Sequence, residues 1–218
     1  MQTPLISAKQ RRTTLLLLTA WILLLGILSI NGFFSNFSAL PPRLAFPLLL
    51  PLPVILYISY SAGGRELLRR IPLHWLIYLQ TFRIVVEIVL WWAVKEGSLP
   101  VQMSFEGRNF DLLTGLLALP VGYYCFVKKS WPSWVALLYN IMGLLLLINA
   151  VAIAVLSMPT PLRVFHNEPS TTLLAQVPYI YLPGLLVPLA YTLHIFSLRQ
   201  WFISVKHTRK AILQYQKD

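Results

Sequence analysis

Long apolar blocks separated by short polar segments set the pattern of this chain. A membrane-spanning helix takes about 20 mostly apolar residues, with about 17 as the lower end. Six blocks meet that length: 13–33, 43–60, 72–94, 111–127, 134–158 and 173–198. The pattern predicts an all-α fold, a polytopic membrane bundle of about six transmembrane helices that forms one domain over 1–218. Residues 199–218 then read as a basic amphipathic tail, with Trp201, Phe202, Val205, Ile212 and Leu213 spaced for one helical face lying on the membrane surface. The basic start followed by an apolar run reads as an uncleaved anchor, because the run is too long for a signal-peptide core.

Two of the predicted spans are rich in proline. The second carries Pro47, Pro51 and Pro53, and the sixth carries Pro178, Pro183 and Pro188. Each proline removes a backbone donor and clashes with the preceding turn. Bends or breaks are therefore expected near Pro51 and Pro183, with neighbouring helices satisfying the freed carbonyls.

The third span is the unusual one. Its interior holds Gln80, Arg83 and Glu87, which share one helical face. A charge facing lipid costs several kcal/mol, about 2.5–3.5 for an arginine at the helix centre. The stripe must therefore point at protein or trapped water, and Arg83 and Glu87, four apart, are placed to pair. Counting depth along each span puts Glu87, Asn149, Gln176, Tyr179, Asp111 and Thr114 in the same half of the membrane. These residues predict one polar pocket with Arg83 at its floor. The alternative is a set of separate hydrogen bonds that only hold the bundle together.

The loop from Ser104 to Asp111 packs Glu106, Gly107, Arg108, Asn109 and Asp111 between aromatic residues. Gly107 suits a tight turn, and Asp111 or Asn109 can cap the fourth span. The same loop, with Glu106 and Arg108 and joined by His166, Asn167 and Glu168, is placed to form a lip over the pocket. His74 and His194 lie near the inner ends of their spans and are weak candidates for iron ligation; no haem or metal motif accompanies them, and no cofactor is predicted. Nucleotide-binding glycine loops and hydrolase signatures are absent.

The runs QTFRIVVE (80–87) and SFEGRNFD (104–111) resemble a family of small, uncharacterised bacterial integral-membrane proteins. The resemblance covers the third span and the loop after it. It implies a bacterial inner-membrane location and carries over no activity and no site residues.

Composition supports the membrane reading. The chain is 57% hydrophobic and 11% charged, with a mean hydropathy of +0.67, whereas a soluble domain has about 25% charged residues. The net charge of +11 follows topology rather than nucleic-acid binding, for no basic soluble module exists to carry it. Thirteen of the 18 Lys and Arg fall before the first span, in the 61–71 connector, at 128–129 or after 198, and four fall in the alternate loops. The excess marks the cytoplasmic side, so both termini are expected inside, against anionic lipid headgroups. A single cysteine, Cys125, excludes an intrachain disulfide.

The function these features predict is binding or transport of a small polar or anionic solute in an outward-facing pocket. Rival classes are a membrane-embedded enzyme with an outer-face site and a non-catalytic assembly or scaffold subunit. A homo-oligomer or a membrane partner is compatible with each.

Overall fold

The computed structural model describes residues 7–215, with side chains described through Ser204. Among the described residues every regular element is helical. In order these are α1 (Ala8–Ile30), α2 (Ala45–Leu49), α3 (Pro51–Tyr60), α4 (Ala62–Arg70), α5 (Leu73–Tyr78), α6 (Phe82–Lys95), α7 (Leu112–Gly122), α8 (Trp134–Leu156) and α9 (Val187–Tyr215). Four helices are long and apolar enough to cross a membrane: Ala8–Ile30, Leu73–Lys95, Trp134–Leu156 and Leu182–Ser204. The count rises to five if Ala45–Tyr60 and Ala62–Arg70, bent by 78°, are one broken span. The apolar helix Leu112–Val127 is shorter.

Local chemistry explains the ends. Ser7 and Gln10 form a reciprocal capping box at the start of α1, which satisfies two backbone N–H groups that the first turn leaves free. Ser61 takes an extended conformation and accepts from the Gly64 amide. It ends α3 and starts α4, and the chain turns sharply there.

The expected break near Pro51 is slight: Leu50 keeps helical geometry, with its N–H on Phe46 O, and the sharp bend of 78° falls at Ser61 instead, between Ala45–Tyr60 and Ala62–Arg70. Pro183 lies in a π-helical turn over Leu182–Leu186 that leads into α9. Pro188 has no N–H to offer the carbonyl four residues back, that of Gly184. Trp21 of α1 supplies the missing donor, its Nε1 lying 2.8 Å from Gly184 O. Ser29 Oγ likewise donates to Ala175 O at 2.7 Å. The sixth block is thus not one helix. It opens with a 3-10 turn at Thr171–Ala175, passes through extended Gln176, and becomes regular only from Leu182.

The joined α5–α6 element occupies the centre, against α7 on one side and α9 on the other, and α8 packs on both α7 and α9. The largest apolar cluster, including Leu25, Phe34, Leu90, Met103, Ile153, Leu174 and Ile180, ties α1 to the loop ends of α6, α8 and the segment before α9. Outward faces are apolar as well: Leu15, Leu16 and Leu17 of α1, Tyr57 of α3, Val85 of α6 and Leu145 of α8 are all exposed. A surface of this kind suits lipid rather than water.

The backbone of α9 runs without interruption past residue 199 to Tyr215, so no break marks the start of the expected tail. Trp201 Nε1 donates to Ser133 O at 3.0 Å. The side chains of Val205, Ile212 and Leu213, on which the surface-lying face rests, are outside the described residues.

Candidate functional site

The polar stripe of the central helix faces inward. Gln80 is 0% exposed, and Arg83 and Glu87 are each 1% exposed. Burying a charge this deeply is costly unless it is paired and hydrogen-bonded, so its partners define the site.

Arg83 does not pair with Glu87, contrary to the spacing argument. Its Nη2 lies 2.6 Å from Asp111 Oδ1, at the start of α7, where both side chains are buried. Its Nη1 donates to His194 Nε2 of α9 at 3.1 Å. A guanidinium has no acceptor, so Nε2 must present its lone pair and the ring hydrogen sits on Nδ1. That hydrogen goes to Asn140 Oδ1 of α8 at 2.9 Å. Asn140 in turn donates to Ser197 Oγ at 2.9 Å and to Ala136 O at 2.7 Å. The guanidinium is thus held from above by a carboxylate and from below by a neutral imidazole, in a chain that links α6, α7, α8 and α9.

Glu87 has a separate partner. Its Oε1 accepts from Asn109 Nδ2 at 2.7 Å. Asn109 also donates to Met103 O at 3.1 Å and accepts from the Asp111 amide at 3.1 Å. Glu87 Oε2 has no hydrogen-bond partner among the described residues, and neither has Arg83 Nε. Asp111 occupies the N-cap position of α7 yet makes no side-chain cap bond. The pull of Arg83 across the helix boundary outweighs the weaker cap. Gly107 lets this loop fold on itself, because a Cβ there would collide with the carbonyl of Val101.

A cavity of about 140 Å3 opens beside these residues. One end is lined by Arg83, Glu87, Asn109 and Asp111, and the rest by apolar side chains including Leu44, Leu48, Phe82, Leu90, Leu147, Ala154, Leu174 and Leu186. The pocket is therefore polar at one end only, which corrects the expectation of a polar cavity.

Several expected lining residues lie elsewhere. Asn149 Nδ2 donates to the carbonyl of Arg108 at 2.9 Å and so ties α8 to the loop. Gln176 is exposed, and Tyr179 packs against the largest apolar cluster. Gln80 turns to α9 and donates to Ala190 O at 3.1 Å. Equal expected depth along separate helices does not place residues on facing surfaces, and none of these four is on the cavity wall.

The expected lip divides in two. Asn109 and Asp111 turn inward, while Glu106 pairs with Lys95 at 2.8 Å on the surface. The hydrogen bond from Lys95 holds the Glu106 carboxyl below its ordinary value. Arg108 stacks over Phe165 at 5.3 Å. Glu168 pairs with Arg163 at 2.8 Å, Asn167 exchanges hydrogen bonds with Gln102, and His166 is exposed.

The two histidines have different surroundings. Both ring nitrogens of His194 are engaged within the chain, and His74 packs against the rings of Trp75 and Tyr78. Among the described residues no group of three or more His, Cys, Asp or Glu side chains is arranged to hold a metal.

Sequence reasoning missed Asn109 as the partner of Glu87 and left Asn140 unconnected to His194. Asn140 was marked only by polarity inside an apolar block and Asn109 only by its place in a polar loop, and neither signal names a partner.

Residues 44–202 match the family described as a domain of unknown function, DUF8737. The chain belongs to that family. No curated protein and no solved structure matches it. The matched residues hold the whole hydrogen-bonded chain from Asp111 to Ser197 and nearly all of the cavity wall, whereas α1 lies outside them.

Proposed function

We propose that this DUF8737 member is a multi-pass protein of the bacterial inner membrane, with six spans and both termini cytoplasmic. We further propose that it binds or carries a small solute whose apolar body fills the cavity and whose polar head meets the Arg83–Glu87–Asn109–Asp111 end. The observation that carries this reading is the cavity's asymmetry: a mostly apolar lining with four convergent polar side chains at one end. Ligand sites commonly combine an apolar lining with a few placed polar groups. Arg83 is already opposed by Asp111, so it is a fixed part of the wall rather than a free anion receptor. The charge bias between alternate loops supports the orientation, and the positions of the six apolar blocks support the number of spans.

The reading is tested by small amphiphiles offered to the full chain in lipid nanodiscs, with saturable binding measured by equilibrium dialysis against empty discs. Binding should be lost in Ala154→Leu, which fills the chamber without touching the polar end. Equal binding by wild type and Ala154→Leu, or no saturable binding of any amphiphile, would refute it.

A further inference from the structure

We propose that the cavity selects a solute with a single cationic head, of the ammonium class, received by Glu87. This inference rests on the reading that the cavity holds a small amphiphile, and it concerns which one.

The charges at the polar end favour a cation. Three ionisable side chains stand at the polar end: Arg83, Asp111 and Glu87. Arg83 and Asp111 are closed on each other at 2.6 Å. His194, the next titratable group on α9, accepts from Arg83 and is therefore neutral. Tyr139 of α8 donates its hydroxyl to Thr114 O at 3.0 Å. Glu87 is left with no ion-pair partner among the described residues, so as a carboxylate it would stand as an unpaired buried charge. An unpaired buried charge is strongly unfavourable, and a bound cation removes that cost, whereas an anionic head adds to it.

The hydrogen bonds at Glu87 favour a donor. Glu87 Oε1 is taken by Asn109. Oε2 is bare, on a residue 1% exposed that forms part of the cavity wall. Asn109 has no spare donor to offer it, since its amide is shared between Glu87 and Met103 O and its oxygen accepts from the Asp111 amide. The vacant acceptor calls for a donor from the occupant. An ammonium supplies donor and charge together, an alcohol supplies only the donor, and a carboxylate supplies neither.

Size limits the body. The chamber of about 140 Å3 is close to an engineered apolar cavity of about 150 Å3 that accepts benzene. Benzylamine, benzyl alcohol and benzoate are therefore matched probes that differ in the head alone.

The test uses the full chain in zwitterionic phosphatidylcholine nanodiscs, with each probe measured by equilibrium dialysis and empty discs subtracted. Benzylamine should bind saturably and about tenfold tighter than benzyl alcohol, the usual gain from a charge-assisted hydrogen bond, and benzoate should not bind. Glu87→Gln keeps the shape and the acceptor for Asn109, so it should fold and should bring benzylamine down to the level of benzyl alcohol. Benzyl alcohol or benzoate binding as tightly as the amine in wild type would overturn the cationic head while leaving the cavity reading intact. A Glu87→Gln variant that keeps the preference for the amine would overturn it equally. No saturable binding by any of the three would overturn the cavity reading itself. The comparison of heads in wild type needs no variant, so a poorly folding Glu87→Gln does not spare the proposal.

Discussion

Arg83 shows what a buried charge requires. Its guanidinium reaches a carboxylate on another helix although a glutamate stands one turn away on its own. Glu87 is held by Asn109 instead, so the two carboxyl groups have different duties: Asp111 neutralises Arg83, and Glu87, on the cavity wall, keeps one oxygen without a partner. The division predicts unequal mutational costs. Asp111→Ala strands Arg83, and breaking a buried ion pair typically costs about 3–5 kcal/mol. Glu87→Ala removes a side chain that makes no ion pair with Arg83 and should cost less. Replacing Arg83 and Asp111 together by leucine should be milder than Asp111→Ala, because no charge is left alone. Thermal unfolding of the three variants in nanodiscs reads the order directly, and Glu87→Ala proving the most damaging would contradict the assignment of partners.

At the scale of elements, close helix approach depends on small residues placed opposite polar ones. Gly143 of α8 lies against the His194 ring of α9, and a Cβ there would collide with it. Gly143→Ala should therefore push His194 off Arg83 or part the helices, at about 1–3 kcal/mol for forced overpacking. Gly63 of α4 has open space around it, so Gly63→Ala should be neutral or stabilise by up to about 1 kcal/mol through helix propensity. Melting temperatures that move in opposite directions would check both positions. The broken sixth block follows the same logic of supply: Pro188 frees the Gly184 carbonyl, and Trp21 of α1 satisfies it. A helix outside the family-matched residues thus closes a hydrogen bond inside them.

For the molecule as a whole, the division of basic residues between alternate loops predicts its orientation. A reporter fused after Asp218 should be active only on the cytoplasmic side, and one inserted near Glu168 only outside. Reversed labelling would overturn the placement of both termini and put the polar end of the cavity in the inner half of the membrane. The polar chain then runs from Asp111 toward Ser197 through buried side chains of four helices. Its arginine and asparagine fix geometry rather than pass protons, so the chain reads as a brace that holds the cavity's floor.

Much of this was legible in the residues taken alone. Apolar blocks marked the long helices, though not α4, which lies in the polar 61–71 stretch, and Pro183 marked the π-helical turn at Leu182–Leu186. A helical face that mixed Gln80, Arg83 and Glu87 had to turn inward, because lipid does not accept charge. These conclusions follow from local periodicity and from the solvent, and both are written along the chain. The partners of that face were not legible. Arg83 and Glu87 at four residues apart, or Asp111 as a helix cap, are sound local solutions, and a contact between helices displaced both. Asn149, Gln176 and Tyr179 share a depth with the site yet belong to other surfaces. Depth is one coordinate of three, and the rotation of each helix about its axis is set by how the whole bundle packs. Only the tertiary structure decided that Asp111 would meet Arg83, that Asn109 would hold Glu87, and that one oxygen of Glu87 would be left without a partner beside a mostly apolar cavity.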